Sequence, residues 1–245
     1  MPENLLVVPQ KISYSSFWPT LRAVNIGPLR VLAVQAVDVT ASLRHVEIYT
    51  SSGLVTMLWH GPENAERAVL AVGGAMGGLL GPADGFYQYL GDTLAAQGIG
   101  MVRISYRRPN DLDACVADTI AAGMLAERSG AERFITMGHS FGGAVAIGAA
   151  LPPSPLSAQT IGVCTLATQS AGCERAAALG DRPLLLVHGD ADEILPAWSS
   201  EAVRELAGGR GRLEILPGAG HLLREQGASD WIREHVTKWV VDTFS

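Results

Sequence analysis

Short apolar segments alternate with longer amphipathic ones along most of this 245-residue chain. The segments RHVEIYT (44–50) and LVTMLWH (54–60) alternate in polarity on either side of a Ser-Ser-Gly sequence at 51–53. This pattern predicts a β-hairpin. The continuous apolar run at 68–72 then predicts a strand with both faces covered.

Helical and strand-like patterns follow in turn. Phe86, Leu90 and Leu94 recur every four residues, which predicts a helix with Asp84 as a possible N-cap and Gly98 as its end. Further strands are predicted at 100–106, 133–137, 160–166, 183–189 and 212–216, and further helices at 113–130, 142–151, 198–206 and 229–244. Strands and helices that alternate in this way predict an α/β fold with a mostly parallel eight-stranded sheet and helices on both faces.

The first 43 residues do not follow that alternation. We interpret 1–43 as an N-terminal extension packed on the body, with a possible extra edge strand at 30–39, and 44–245 as a single domain. Phe17 and Trp18 are expected to anchor this extension. Alternatively, their rings cover a pocket or a partner subunit, as in a homodimer.

Composition and charge exclude several classes of partner. The net charge of −6 and the absence of a Lys/Arg run argue against nucleic acid. No segment reaches the roughly 18 uninterrupted apolar residues of a membrane span, and the N-terminus lacks a secretory pattern, so we expect a cytoplasmic protein without membrane partners. Cys115, Cys164 and Cys173 show no metal-type spacing, so we expect buried thiols, no metal and no cofactor.

One short motif indicates chemistry. The sequence Gly138-His139-Ser140-Phe141-Gly142 joins a predicted strand directly to a predicted helix rich in small residues. Glycines two positions before and after a serine permit a very tight turn, which lifts the hydroxyl group above the carboxyl ends of the strands. The turn also places the Phe141 amide at a helix N-terminus, where it can stabilise an oxyanion.

A serine nucleophile needs a base, and that base needs an acid to orient it. Asp190, Asp192 and Glu193 directly follow the strand predicted at 183–189, and His221 follows the last predicted strand. The sequence therefore predicts Ser140, an aspartate of this group and His221 as a catalytic triad.

The remaining histidines are weaker candidates for the base. His139 and His188 lie beside the two motif turns, where we expect them to line the site and bind substrate. His45 and His60 belong to the hairpin and His235 to a helix stripe, so these three are expected to be packing residues.

From residue 44 onward the chain resembles an α/β-hydrolase, on the strength of GHSFGG (138–143), HGDADEILP (188–196) and GAGH (218–221). The second segment matches the His-Gly-x-x-Asp-x-x-x-Pro form of members similar to dienelactone hydrolase and prolyl oligopeptidase. The resemblance implies the α/β-hydrolase fold, Asp192 as the triad acid and Asp190 as a residue that hydrogen-bonds within its own loop. The interval 167–182 is too short for a separate cap domain.

The resemblance also implies a second oxyanion amide in the loop after the strand at 68–72. This loop, VGGAMGG (72–78), lacks the histidine that family members usually have there. Ala75 is the expected donor, with Met76 as the alternative, and Gly74 is expected to contact substrate.

Together these features predict a serine hydrolase that cleaves small-molecule carboxylic esters through an acyl-enzyme, as a carboxylesterase does. An amide, peptide or thioester hydrolase with the same triad is an alternative within the enzymes. A catalytically silent binding protein on the hydrolase fold is the alternative from another class.

Overall fold

The computed structural model describes residues 24–245, so the expectations for Phe17 and Trp18 lie outside the described residues. The strands are β1 Val24–Ile26, β2 Leu29–Asp38, β3 Leu43–Thr50, β4 Gly53–His60, β5 Arg67–Val72, β6 Gly100–Ser105, β7 Arg133–His139, β8 Thr160–Leu166, β9 Leu184–Gly189 and β10 Arg212–Leu216. The helices are α1 Pro82–Ala95, α2 Leu112–Ser129, α3 Phe141–Ala150, α4 Trp198–Leu206, α5 Gln226–Trp231 and α6 Thr237–Phe244, with a π-helical turn at Ile232–Val236 between the last two.

The strands form one sheet in the order β1-β2-β3-β4-β6-β5-β7-β8-β9-β10. The strands from β6 to β10 in this order are parallel to one another, whereas β1 to β4 form an antiparallel meander whose last strand, β4, pairs antiparallel with β6. The eight strands from β3 onward confirm the predicted eight-stranded, mostly parallel sheet. The carboxyl ends of the parallel strands meet at one edge, so the loops after β5, β7, β9 and β10 lie along it.

Strand β2 covers most of the extra edge strand predicted at 30–39, but it is not at the edge. It pairs with β3 on one side and with the three-residue β1 on the other. A two-residue turn at Gly27 and Pro28 causes this difference, because it folds the chain back and pairs Ile26 with Leu29. The outermost strand of the described chain on this side is therefore β1.

Helices cover both faces of the sheet, as strand β5 shows most directly. Its residues alternate between two cores: Ala68, Leu70 and Val72 pack with α2, whereas Val69 and Ala71 pack with α1 and the C-terminal helices. All five are essentially inaccessible to solvent. The continuous apolar run in the sequence therefore reflects a strand buried on both sides, as predicted.

The start of α1 differs from the expectation that Asp84 is its N-cap. Ala83, Asp84 and Gly85 have φ of 50°, 52° and 91°, whereas an N-cap residue has extended backbone. The Ala83 N–H donates to the carbonyl oxygen of Leu222 at 2.8 Å. This contact ties the first turn of the helix to the loop after β10, and regular helix begins at Phe86.

The link between β8 and β9 contains only a short 3₁₀ helix at Ala176–Leu179, so residues 24–245 contain no separate cap domain. Cys115, Cys164 and Cys173 are buried and form no disulfide, and burial raises the pKa of each thiol. Within the same range no helix has both the length and the apolar character that crossing a bilayer requires.

Candidate active site

Ser140 lies on a sharp turn between β7 and α3. Its φ of 57° and ψ of −124° are unusual for a residue with a side chain. The turn depends on two glycines: a Cβ atom on Gly138 would lie 1.8 Å from the carbonyl oxygen of Gly142, and one on Gly142 would lie 2.3 Å from that of Gly73. The Ser140 N–H donates to the carbonyl oxygen of Leu166 at 2.8 Å, which anchors the turn to β8. The geometry is that of the predicted nucleophile elbow.

Ser140, His221 and Asp192 form one hydrogen-bonded row. His221 Nε2 lies 3.0 Å from Ser140 Oγ, and His221 Nδ1 lies 2.8 Å from Asp192 Oδ2. The three residues follow β7, β10 and β9 respectively, so the sheet brings together loops that are distant in sequence. The imidazole is oriented so that Nδ1–H donates to the carboxylate and Nε2 can accept the serine proton.

The Asp192 carboxylate is held by the backbone as well as by His221. Its Oδ1 atom accepts hydrogen bonds of 2.8 Å from the N–H groups of both Ile194 and Leu195. Burial alone would raise the pKa of Asp192, but the hydrogen bonds from Leu195, His221 and Ile194 outweigh it, and the net pKa lies below its ordinary value. Asp192 is therefore an ionised acceptor at neutral pH.

Asp190 points elsewhere. Its Oδ1 atom accepts a hydrogen bond of 2.6 Å from the N–H of Gly218, in the loop after β10. The expectation that Asp190 hydrogen-bonds within its own loop is therefore wrong, because the two loops lie side by side at the sheet edge. Asp190 links the loop of the acid to the loop of the base.

His139 contacts the main chain of His221. Its Nε2–H donates to the His221 carbonyl oxygen at 2.9 Å, and the two rings lie 4.9 Å apart between centroids. Burial lowers the pKa of His139 to about 4, so the ring is neutral at pH 7. Only 7% of the residue is exposed, and a role of His139 in substrate binding stays a prediction.

His188 does not line the cleft. Its residue exposure is 0%, and its two ring nitrogens contact Asp192, Leu195 and Ser200. The prediction that His188 binds substrate is therefore wrong. The physical reason is that its side chain projects from the end of β9 under the acid loop, where it has no access to solvent.

The loop after β5 reaches the elbow. Gly77 N–H donates to Gly74 O at 2.9 Å, so Ala75 and Met76 occupy the centre of a tight turn. A Cβ atom on Gly74 would lie 3.6 Å from Ser140 Cβ, so this turn passes directly beside the serine. Phe141 N–H is at the N-terminus of α3, where an amide has no intrahelical acceptor. Gly74 thus lies beside Ser140, and the assignment of Phe141 and of Ala75 or Met76 as oxyanion donors stays a prediction.

Two buried tyrosines, which the sequence analysis missed, hold the start of this loop. Tyr87 Oη donates to Val72 O and Tyr106 Oη to Gly73 O, each at 2.9 Å. Burial raises the pKa of both hydroxyl groups, so both remain protonated donors. The only signal in the sequence is a tyrosine at the end of a predicted strand, at 106.

Exposed apolar side chains lie on the segments that carry the predicted site residues. Large exposed side chains come from the segments after β5, β9 and β10, which also carry the predicted oxyanion donors, the acid and the base: Met76, Leu80, Ile194, Trp198 and Leu222. A cavity of about 520 Å³ beside the loop of the base is lined by Leu80, Leu222, Tyr89 and Arg233, among others.

Among residues 24–245, no cluster of three or more His, Cys, Asp or Glu side chains could hold a metal ion. The predicted absence of metals and cofactors stays a prediction. The predicted site residues instead form a row of proton donors and acceptors, an arrangement suited to nucleophilic chemistry.

No protein-family model and no curated protein sequence matches the chain. Solved structures do match. Est1E from Butyrivibrio proteoclasticus has a TM-score of 0.66 at 16% identity, covering 82% of this chain and 98% of that one. An alpha-beta serine hydrolase homologue from Coxiella burnetii has a TM-score of 0.64 at 18% identity, covering 82% of this chain and 99% of that one. Dienelactone hydrolase from Anabaena variabilis has a TM-score of 0.64 at 17% identity, covering 82% of this chain and 97% of that one. The chain therefore has the α/β-hydrolase fold.

Proposed function

We propose that the protein is a serine hydrolase of carboxylic esters. The observation that carries the proposal is the hydrogen-bonded row of Ser140, His221 and Asp192. Such a row converts an otherwise unreactive hydroxyl group into a nucleophile, because a positioned base removes its proton during attack.

The reaction then has two halves. Ser140 Oγ attacks the ester carbonyl carbon while His221 Nε2 accepts its proton, and Asp192 stabilises the imidazolium. The oxyanion accepts hydrogen bonds from Phe141 N–H and from the amide of Ala75 or Met76. His221 returns the proton to the departing alcohol, which leaves an acyl-enzyme. Water, deprotonated by His221, hydrolyses this ester, and the proton passes back to Ser140.

Two observations support an ester with an apolar part as the substrate. Five large apolar side chains are exposed on the segments that carry the site residues, and their contact with an apolar part of a substrate would lower the free energy of the complex. Ferulic acid, an aromatic acid, has been observed bound to the similar protein Est1E. Residues 24–245 contain no cap domain that would exclude water from the cleft during deacylation.

The experiment is labelling with a fluorophosphonate probe combined with a panel of p-nitrophenyl esters of increasing acyl length, with Ser140→Ala as control. We expect labelling and hydrolysis by the native protein and neither by the variant. Labelling with turnover only of acyl-peptide amides or thioesters would move the assignment to that alternative. A protein that is neither labelled nor active would be a silent binding protein.

A further inference from the structure

Asp192, the acid of the hydrogen-bonded row, contacts a second imidazole besides that of His221, namely the side chain of His188. His188 Nε2 lies 3.1 Å from Asp192 Oδ2, the oxygen that also binds His221 Nδ1, and 3.0 Å from the carbonyl oxygen of Leu195. On the far side of the ring, Nδ1 lies 2.7 Å from Ser200 Oγ in α4. Ser140, His221, Asp192, His188 and Ser200 thus form one continuous chain of hydrogen bonds.

The partners of His188 define its tautomer. A carboxylate oxygen and a carbonyl oxygen can only accept, so Nε2 carries the hydrogen and shares it between Asp192 and Leu195. In the neutral ring Nδ1 is then an acceptor, and Ser200 O–H donates to it. Burial lowers the pKa of His188, which favours this neutral form.

The two carboxylate oxygens of Asp192 are thereby fixed by four donors. Two backbone N–H groups bind Oδ1, and the two imidazole N–H groups bind Oδ2. Rotation of the carboxylate would break all four hydrogen bonds in a site where the side chains of His188 and Asp192 are fully buried. A buried polar group that loses its hydrogen-bond partner destabilises the folded state by its full desolvation free energy.

We propose that His188 is a positioning residue for the acid of the row, holding Asp192 Oδ2 toward His221 and sharing the charge of that oxygen. Ser200 assists by keeping the ring in the tautomer that donates. The proposal rests on the proposed function, in which Asp192 acts through His221. It assigns to a fully buried histidine a role that substrate contact cannot explain.

The other ionisable groups at this edge bind elsewhere. His139 donates to the carbonyl oxygen of His221, and three carboxylates accept from backbone N–H groups of the base loop: Asp190 from Gly218, Glu193 from His221 and Glu225 from Gly220. The charged residues of α4 are Glu201, Arg204 and Glu205, and none makes a hydrogen bond or ion pair with Asp192 or His188 in the described structure. Among the described side chains, only His188 and His221 donate to Asp192.

Loss of the His188 hydrogen bond has a defined consequence. The Asp192 carboxylate would carry more unshared charge, so the Asp192–His221 pair would bind a proton more tightly. A hydrogen bond to a charged group corresponds to a shift of about one pH unit. We therefore expect His188→Leu to move the acidic limb of the kcat/KM profile upward by about one unit, and to lower kcat about tenfold at pH 7 with KM unchanged. If the Asp192 carboxylate merely moved away from His221, the imidazolium would lose its partner, and the acidic limb of the kcat/KM profile would shift to lower pH.

The test compares four variants. His188→Leu removes the donor, and His188→Gln keeps an amide N–H in a similar place and should restore most of kcat and the position of the limb. Ser200→Ala should shift the limb in the same direction by a smaller amount, because the ring becomes a weaker donor. Thr165→Val is the matched control, since it removes a buried hydroxyl group that has no hydrogen-bond partner.

A second readout is independent of turnover. In a Ser140→Ala background, an NMR titration of ¹⁵N-labelled histidine measures the pKa of the His221 ring directly. The proposal is supported if the His221 pKa rises in His188→Leu and returns toward its native value in His188→Gln. It is overturned if the His221 pKa is unchanged or lower in His188→Leu, or if the Leu and Gln variants have equal effects. If His188→Leu does not fold, the presence or absence of the upward shift in Ser200→Ala decides. Failure of the native protein to hydrolyse any ester would refute the proposed function alone.

Discussion

The hydroxyl group of Tyr106 donates a hydrogen bond of 2.9 Å to the carbonyl oxygen of Gly73, 33 positions earlier in the chain. This contact fixes the peptide group that precedes Gly74, and therefore the entry into the turn beside Ser140. The second oxyanion donor of the proposed site, the amide of Ala75 or Met76, depends on that turn, because only preorganised amides stabilise a transition state without reorganisation.

We predict that Tyr106→Phe lowers kcat about tenfold and leaves KM unchanged, since it removes one hydroxyl group that orients the loop. The affinity for a trifluoromethyl ketone transition-state analogue should fall by the same factor as kcat/KM. Tyr49→Phe, at an exposed tyrosine on β3, is the control. A rise in KM with unchanged kcat would show that Tyr106 affects ground-state binding instead.

We predict that Ser140→Ala lowers turnover by about four to six orders of magnitude. The fold should persist, because alanine occupies less volume than serine at the same turn, and thermal unfolding should therefore resemble that of the native protein. Steady-state kinetics and a melting curve together check both halves of the prediction. A variant with most of its activity would remove Ser140 from the mechanism.

We predict that Asp192→Asn reduces kcat by about 10⁴, because the amide no longer holds the imidazole in the required tautomer. Asp190→Asn should cost less than about tenfold, since this carboxylate binds only the exposed N–H of Gly218. The ratio of the two kcat values is the measurement. The opposite ranking would exchange the roles of the two aspartates.

We predict that stability falls as the pH drops below the ordinary pKa of histidine. Burial lowers the pKa of His139 to about 4, so between about 6.5 and 4 the unfolded chain binds a proton that the folded one does not. The free energy of unfolding should therefore rise with pH across this window, by up to about 3 kcal/mol from this residue. Urea unfolding at several pH values measures it, and His139→Gln should flatten the slope. Equal slopes in the two proteins would contradict the prediction.

Much of the fold and the composition of the site are predictable from the sequence. Parallel strands buried on both sides appear as short apolar runs, and Ser140 and Asp192 follow two of them, whereas His221 follows the partly exposed edge strand β10. Since the carboxyl ends of parallel strands share an edge, their sequence positions already imply spatial proximity. Glycine at 138 has a local explanation, because a Cβ atom there would collide with Gly142 O, whereas glycine at 142 is required by the close approach of Gly73 O, from the end of β5.

The features that the sequence analysis predicted wrongly or missed depend on how side chains and loops are placed in space, which the sequence pattern does not show. His188 follows four buried apolar residues of β9, but a sequence does not indicate whether a strand-terminal side chain faces the cleft or lies below a loop. Tyr106 acts on a backbone carbonyl, which carries no residue-specific signal at all. Asp84 is a residue type common at N-caps, but its backbone is left-handed, and the N–H of the preceding Ala83 binds Leu222 O, far away in sequence.

The position of β10 at the outer edge of the sheet has a consequence for biogenesis. A ribosome delivers Ser140 long before His221, and the imidazole reaches the hydroxyl group only after the final strand has docked. In the proposed mechanism, a nascent or truncated polypeptide without β10 and the loop after it therefore carries an unreactive Ser140 hydroxyl group. Covalent capture by an organophosphorus reagent would therefore report the completion of folding.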